Sequence, residues 1–379
     1  MWWPISPGQR HSRNTKGRPE KSDVARASVT LWADLWCCVD AVGVLQMAVT
    51  LREVAEQAGV SRSAVSRCYT PGASISPKTR AKVEAAARAL GYSPNALASS
   101  LTTGRTKMVG VVSNNFHNPI FLEVFDAVTR GLQDRGLRPL LVNLTDETDP
   151  SNSLRMLQQY SVDAVIVASS TLPASFAESF HEAGMRVVHS FGRLMDSPRI
   201  HVLGIDNQAA GRLAARTLIA RGYQSVGFLG GPEQATSTQD RYRGFVDEIA
   251  RNPSVTLSTS FAKAYSFDAG RAEMQRLLRD PLREAYFCGD DVLSIGVLSA
   301  LADARRTVPD DIGILGLNDM EIAGWANINL TTIKNPFHQI VATSVDLVQA
   351  MLQGNDEAPR SLSFDCEIVE RGTLRPLPD

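Results

Sequence analysis

Thr50-Leu51-Arg52-Glu53-Val54-Ala55-Glu56-Gln57-Ala58-Gly59-Val60-Ser61-Arg62-Ser63-Ala64-Val65-Ser66-Arg67 is the stretch whose reading decides the fold of the N-terminal part. Thr50 followed three residues on by Glu53 forms a capping box. It predicts a helix with Leu51, Val54, Ala55 and Ala58 on one face, ended by Gly59. Ser61 then caps a second short helix over 62–68, whose Ala64 and Val65 pack back on the first while Arg62, Ser63, Ser66 and Arg67 face outward. After a loop over 69–75 that contains Pro71 and Gly72, Ser76 and Pro77 open a third helix. It runs through Val83, Ala86, Ala87 and Leu90 and stops at Gly91. Two short helices joined by a tight Gly-containing turn make a helix-turn-helix, a unit that reads DNA.

Charge supports this reading. From Thr50 to Lys107 there are 9 Lys and Arg against 3 Asp and Glu; from Met108 to the end there are 24 against 33. A basic head on an acidic body predicts that the head meets a polyanion. With 379 residues, 44% of them hydrophobic and 21% charged, the chain is expected to fold into two or three globular domains rather than remain disordered. The longest apolar run, 29–49, is interrupted by Asp34, Asp40 and Gln46, so no bilayer span is expected. Five cysteines with no C-x-x-C pair suggest neither a disulfide framework nor zinc, and they fit a cytoplasmic location. Residues 1–46 are unlike the rest. Met47 is a candidate initiator, with 1–46 expected to be a mis-assigned extension or a disordered leader; an intact mass of the natively expressed protein decides between them.

Beyond Met108, apolar runs at 108–112, 139–142, 164–168, 186–188, 202–205, 226–229, 285–288 and 312–317 read as strands. Amphipathic stretches at 121–135, 208–221, 242–250, 269–279, 292–305 and 337–352 separate them as helices. The alternation predicts parallel α/β units, and their number predicts two doubly wound lobes with a cleft between them. His117, His181, His189 and His201 lack metal-ligand spacing. Gly230-Gly231-Pro232 completes no G-x-G-x-x-G and no nucleophile motif occurs, so no metal, cofactor or catalytic residue is expected.

The stretch from Thr50 to Ser61 with Ala64-Val65-Ser66-Arg67 resembles the helix-turn-helix of the lac repressor (LacI/GalR) family. Gly91-Tyr92-Ser93-Pro94-Asn95-Ala96-Leu97-Ala98-Ser99-Ser100-Leu101 resembles that family's hinge, and Asn118-Pro119, Asp206-Asn207, Arg241-Tyr242-Arg243-Gly244-Phe245, Asp291 and Leu330-Thr331-Thr332-Ile333 recur in its order. The resemblance covers Met47 to about Arg371. It implies a helix-turn-helix head over 47–94, a hinge helix and linker over 95–107, and a two-lobed, periplasmic-binding-protein-like effector and dimerisation domain over 108–379. The implied function is a cytoplasmic, ligand-responsive transcriptional regulator, a repressor, binding a pseudo-palindromic operator in double-stranded DNA as a homodimer. The alternative is a solute-binding protein without a regulatory role.

The resemblance places Thr50, Ser61, Arg62, Ser63, Ser66 and Arg67 at DNA. Arg62 is suited to two hydrogen bonds with guanine, and Arg67 and Ser61 to phosphates or to fixing the helix. In the hinge it implicates Asn95, Ala98 and Leu101, with Leu101 as a minor-groove wedge. Three departures stand out: Ala64 and Thr70, where the family usually has Thr and Asn, and Ser99, where it has Arg or Gln. In the cleft it implies Arg241 and Asp291 as ligand contacts, with Asp290 open to capping the helix that follows. Asn118, Phe121, Trp325, Asn335 and Phe337 are the further effector candidates. The implied effector is a sugar or sugar derivative. The stretch 187–193 lacks an acidic residue that many sugar-binding members carry, which points away from a plain hexose. No leucine heptad follows Arg371, so a dimer is expected rather than a tetramer.

Overall fold

The computed structural model describes residues 49–378 apart from 71, 95–99, 101–103, 115, 145–148 and 356. The leader, and with it Asn95, Ala98 and Leu101, lie outside the described residues. The chain divides between Asn95 and Ala96 into two compact units.

The first unit is three helices: α1 (Leu51–Ala58), α2 (Arg62–Cys68) and α3 (Pro77–Leu90). Each begins where its cap dictates. The Thr50 side chain accepts from the Glu53 amide while the Glu53 carboxylate takes the Thr50 amide at 2.6 Å. Ser61 and Ser76 cap α2 and α3 through the amides of Ala64 and Thr79. Gly59 and Gly91 end α1 and α3 at φ of 61° and 67°, a left-handed conformation that costs glycine nothing. Val54, Ala55, Val65, Cys68, Val83, Ala86 and Ala87 form the buried core. Arg80 of α3 reaches back to the Cys68 carbonyl at 2.9 Å and closes the end of α2.

The second unit contains two six-stranded sheets. The first lobe comprises β1 (Met108–Ser113), α4 (Ile120–Asp134), β2 (Arg138–Asn143), α5 (Ser151–Gln159), β3 (Ala164–Ala168), α6 (Ala174–Glu182), β4 (Arg186–Ser190) and β5 (His201–Ile205). The chain then crosses into the second lobe: α7 (Asn207–Ala220), β6 (Ser225–Gly230), α8 (Thr236–Ile249), β7 (Thr256–Phe261), α9 (Phe267–Leu277), β8 (Ala285–Cys288), α10 (Asp291–Asp303), β9 (Gly313–Asn318) and β10 (Thr332–Lys334). It returns to the first lobe with α11 (Phe337–Leu352) and β11 (Ser361–Phe364), and crosses a third time to β12 (Glu367–Val369). Strand orders are β11-β5-β4-β3-β1-β2 and β12-β10-β9-β8-β6-β7. All neighbours are parallel except β10 and β12.

The central strands β3 and β8 are buried along their whole length, as a sheet covered by helices on both faces requires. Strand order reverses beside β1 in the first sheet and beside β6 in the second, and open α/β sheets take ligands outside the carboxyl ends of strands at such switch points.

Four strands and two helices go beyond the sequence expectation. β7, Thr-Leu-Ser-Thr-Ser-Phe, is a half-exposed edge strand, while β10, β11 and β12 hold only three or four residues, so none carries a long apolar run. The helices α5 and α6 are nine residues each and start after Pro150 and Pro173. The helix expected over 242–250 begins six residues earlier, at Thr236; its first turn is polar and no local side chain caps it, so nothing nearby in the chain marks that start.

Candidate functional site

On the head, the outward face of α2 carries the residues that chemistry favours for base contact. Val65 and Cys68 point into the core, which leaves Arg62, Ser63, Ser66 and Arg67 exposed. The hydroxyl groups are partly committed. Thr50 and Ser61 serve as helix caps, and Ser61 Oγ and Ser63 Oγ lie 3.0 Å apart. Arg67 Nε donates to the Ser63 carbonyl at 3.3 Å. Arg62 makes no hydrogen bond or ion pair among the described residues, so its five donors are available to a partner.

In the second unit, a cavity lies where both switch points meet. Its lining includes Asn118 after β1, Ser170 after β3, Phe191 after β4, Asp290 after β8, Asn318 at the end of β9 and Asn335 after β10. Five of the residues expected at an effector, Asn118, Phe121, Arg241, Asn335 and Phe337, line it together, and Tyr265 completes the aromatic wall. The enclosed volume is about 30 Å³. Water needs roughly 10 to 15 Å³ of such space, so the room suffices for a water or two.

Arg241 is 4% exposed. Its Nε donates to Asn207 Oδ1 at 2.8 Å and its Nη1 to the Gly289 carbonyl at 2.6 Å. Asp290 Oδ2 accepts from Asn118 Nδ2 at 2.9 Å and from Asn318 Nδ2 at 2.8 Å, and Oδ1 accepts from the Val292 amide that it caps. Asn318 is held at φ 127°, a strained conformation of the kind that clusters at binding sites. The Asn335 amide donates to Asn318 Oδ1 at 3.3 Å, and its own Oδ1 is buried without a partner among the described residues. A buried acceptor left in this way needs a donor, which a hydroxyl or N–H entering the cavity would satisfy.

Two expected residues stand elsewhere. Asp291 does not line the cavity. It is fully buried, accepting from Thr332 Oγ1 at 2.5 Å and from the Met320 amide at 2.9 Å, and so ties α10 to β10 and to the turn after β9. The cleft carboxylate is its neighbour Asp290, which both lines the cavity and caps α10. Adjacent residues at a helix start point in different directions, and spacing alone does not say which one faces the ligand. Trp325 is 52% exposed and also stands apart from the cavity. Asp290, Asn318, Ser170, Phe191 and Tyr265 are additions, beside Ile120 and Val124 of α4; the first four stand at or just after strand ends, a signal that strand prediction exposes once topology is known.

Burial pushes the carboxyl groups of Asp290 and Asp291 up, to about 6 and about 7. Hydrogen bonds from Val292 and Arg241's charge oppose this at Asp290, as do Thr332 and Met320 at Asp291. Because both folded values are raised, the stability these groups permit is full below the unfolded value near 3.8 and is lost as pH rises through 6 and 7. His189, buried and pushed down to about 4, acts in the opposite sense: its contribution is full above 6.5 and is lost as pH falls through about 4. Unfolding free energy is therefore expected to fall between about pH 4 and 7, offset in part by His189 below pH 6.5, and to level off above about pH 7, each carboxyl contributing at most about 1.4 kcal/mol per pH unit. Urea titrations of Asp291→Asn at fixed ionic strength should show a flatter slope than wild type, and an unaltered slope would refute this assignment.

Residues 50–95 match the family described as bacterial regulatory proteins, lacI family, and residues 215–374 match a periplasmic binding protein-like domain. The HTH-type transcriptional repressor CytR of Escherichia coli (strain K12) is 28% identical over 338 residues, covering 88% of this chain and 98% of CytR. The lac repressor dimer bound to operator and the anti-inducer ONPF superposes with a TM-score of 0.77 at 25% identity, over 86% of this chain and 99% of that one. The complex of the transcriptional regulator CelR with cellobiose gives 0.64 at 26% identity, over 86% and 99%. Head and body thus match in one order along one chain: a head that matches the lacI family of bacterial regulatory proteins, followed by a periplasmic binding protein-like body, with similarity to HTH-type transcriptional repressors over nearly the whole of it.

Proposed function

We propose that the protein is a transcriptional repressor of the cytoplasm. It binds a pseudo-palindromic operator as a homodimer and responds to a small molecule held between the lobes of its second unit. The observation that carries this reading is the union, in one chain, of a head presenting an uncommitted Arg62 with a two-lobed unit closing on a polar, aromatic-walled cavity. Arg62 and Ser63 read base edges; Ser66 and Arg67 hold the backbone; Asn95, Ala98 and Leu101 form the hinge, with Leu101 as the wedge. Arg241, Asp290, Asn118, Asn318 and Asn335 hold the effector. One cationic and one acidic group balance, and the remaining donors and acceptors are amides beside aromatic rings. That chemistry suits an uncharged, hydroxyl-bearing ring such as a sugar or sugar derivative, the class of the cellobiose bound by CelR. Coupling between effector and operator is expected at about 1 to 3 kcal/mol.

Selection of random duplex DNA by the purified full-length chain at about 0.1 M salt tests the reading. An enriched inverted repeat supports it, and a pool that stays random both with and without a panel of sugars and sugar derivatives overturns it. A two-fold operator requires two heads. Leu122 on α4 is 75% exposed and Leu141 on the edge strand β2 is 46% exposed, which supplies apolar surface for a self-complementary contact. Leu122→Glu is expected to shift the sedimentation profile toward monomer and to weaken operator binding about tenfold or more; an unshifted dimer places the interface elsewhere.

A further inference from the structure

The cavity is too small for the effector proposed above, because ligand pockets run to several hundred Å³, and the bonds that hold it shut are laid out across the lobes. Arg193, in the loop after β4, forms a two-point ion pair with Asp240 on α8: Nε to Oδ2 at 2.6 Å and Nη2 to Oδ1 at 3.0 Å. The same Nη2 reaches the Thr236 carbonyl at 3.1 Å and Gln239 Oε1 at 3.3 Å. The pair is neither freely solvated nor buried, with side chains 39% and 13% exposed.

A second set of bonds reinforces the grip. A helix leaves its first-turn amides without partners, and α8 has no side-chain cap of its own. The carbonyl of Ser170, which follows β3 in the other lobe, takes the Ser237 amide at 3.2 Å and Thr236 Oγ1 at 3.0 Å. The start of α8 is therefore capped from across the cleft, which also accounts for its unpredicted first turn.

We propose that the Arg193–Asp240 pair, together with the Ser170 carbonyl on the first turn of α8, is a cross-cleft latch that keeps the lobes closed, so that an effector enters only when the latch opens. Closed protein then lowers the apparent effector affinity by the fraction that is open, and a residue remote from the ligand sets sensitivity. As a gate the latch rests on the effector reading of the cavity; as a clasp between lobes it does not, and the test addresses the clasp.

The measurement is amide hydrogen exchange at Ser237 in the full-length chain, with no small molecule and no DNA. Arg193→Ala and Asp240→Ala are each expected to speed exchange there about fivefold, the scale of a partly exposed pair, while strands β3 and β6 keep wild-type rates. The double variant is expected to match either single one, and Arg193→Lys, which keeps the charge but not the fork, to fall between. Unchanged exchange at Ser237, additive effects in the double variant, or a rise spread evenly over β3 and β6 overturns the latch. A cavity that binds no sugar overturns the effector reading and leaves this result intact.

Discussion

Gly244→Ala is expected to destabilise the second unit by about 3 kcal/mol or more, or to prevent its accumulation as folded protein. A Cβ at Gly244 would lie 2.0 Å from the Gln208 carbonyl oxygen, and one at Gly211 would lie 2.1 Å from the Arg241 carbonyl oxygen. The backbones of α7 and α8 therefore touch from both sides. Backbone atoms cannot turn aside as a flexible side chain can, so the helices must separate. Overpacking typically costs about 1 to 3 kcal/mol even where side chains can adjust. Separation also moves Arg241, one helical turn before Gly244, away from Asn207 at the start of α7, and with it the floor of the cavity. Gly131→Ala is the control: its nearest neighbour would be a Val345 side-chain atom at 3.4 Å, and helix propensity then favours alanine by up to about 1 kcal/mol. Urea denaturation followed at the second unit's transition reads both. A Gly244→Ala midpoint within error of wild type would mean that the two helices are not held at this spacing.

The contact also shows what the sequence could and could not disclose. The head was readable residue by residue because its signals are local: Thr50 with Glu53, Ser61, Ser76 with Pro77, and the glycines at 59 and 91 each fix one helix end with atoms no more than five residues away. The central strands were readable because burial on both faces demands unbroken apolar runs. The first turn of α8 was not, since its cap is the Ser170 carbonyl, 67 positions earlier in the chain. The resemblance ranked Asp291 ahead of Asp290 at the cleft, and the structure reverses that order for a related reason. Both are buried next to the same helix start, and only the positions of Asn118 and Asn318 decide that Asp290 faces the cavity while Thr332 and Met320 claim Asp291. The alternation of strands and helices supplied the cleft and the family resemblance supplied Arg241; the partners that give each side chain its direction come from strands distant in sequence.

Arg62→Ala is expected to lower affinity for the selected operator by about 30-fold to 10⁴-fold while leaving stability unchanged. The range follows from the geometry of the head. A bidentate arginine–guanine contact is worth about 1 to 3 kcal/mol, and a dimer loses it at both half-sites. Stability is spared because Arg62 is exposed and bonds to nothing among the described residues, whereas the helix it opens is anchored by Val65, Cys68 and the Arg80 bond to the Cys68 carbonyl. Arg67 supplies the contrast: its Nε already holds the Ser63 carbonyl, which turns the guanidinium along the helix toward a phosphate role. Arg67→Ala should weaken selected and random duplexes alike and reduce the salt slope by about two units, one per half-site, whereas Arg62→Ala should narrow the difference between the two duplexes and keep more of the slope. Titrations of both variants against both duplexes at several salt concentrations separate the roles. If Arg62→Ala retains wild-type discrimination, the base-reading role passes to Ser63 and Ser66, and the mode of recognition becomes one of single hydrogen bonds and water bridges rather than a forked arginine contact.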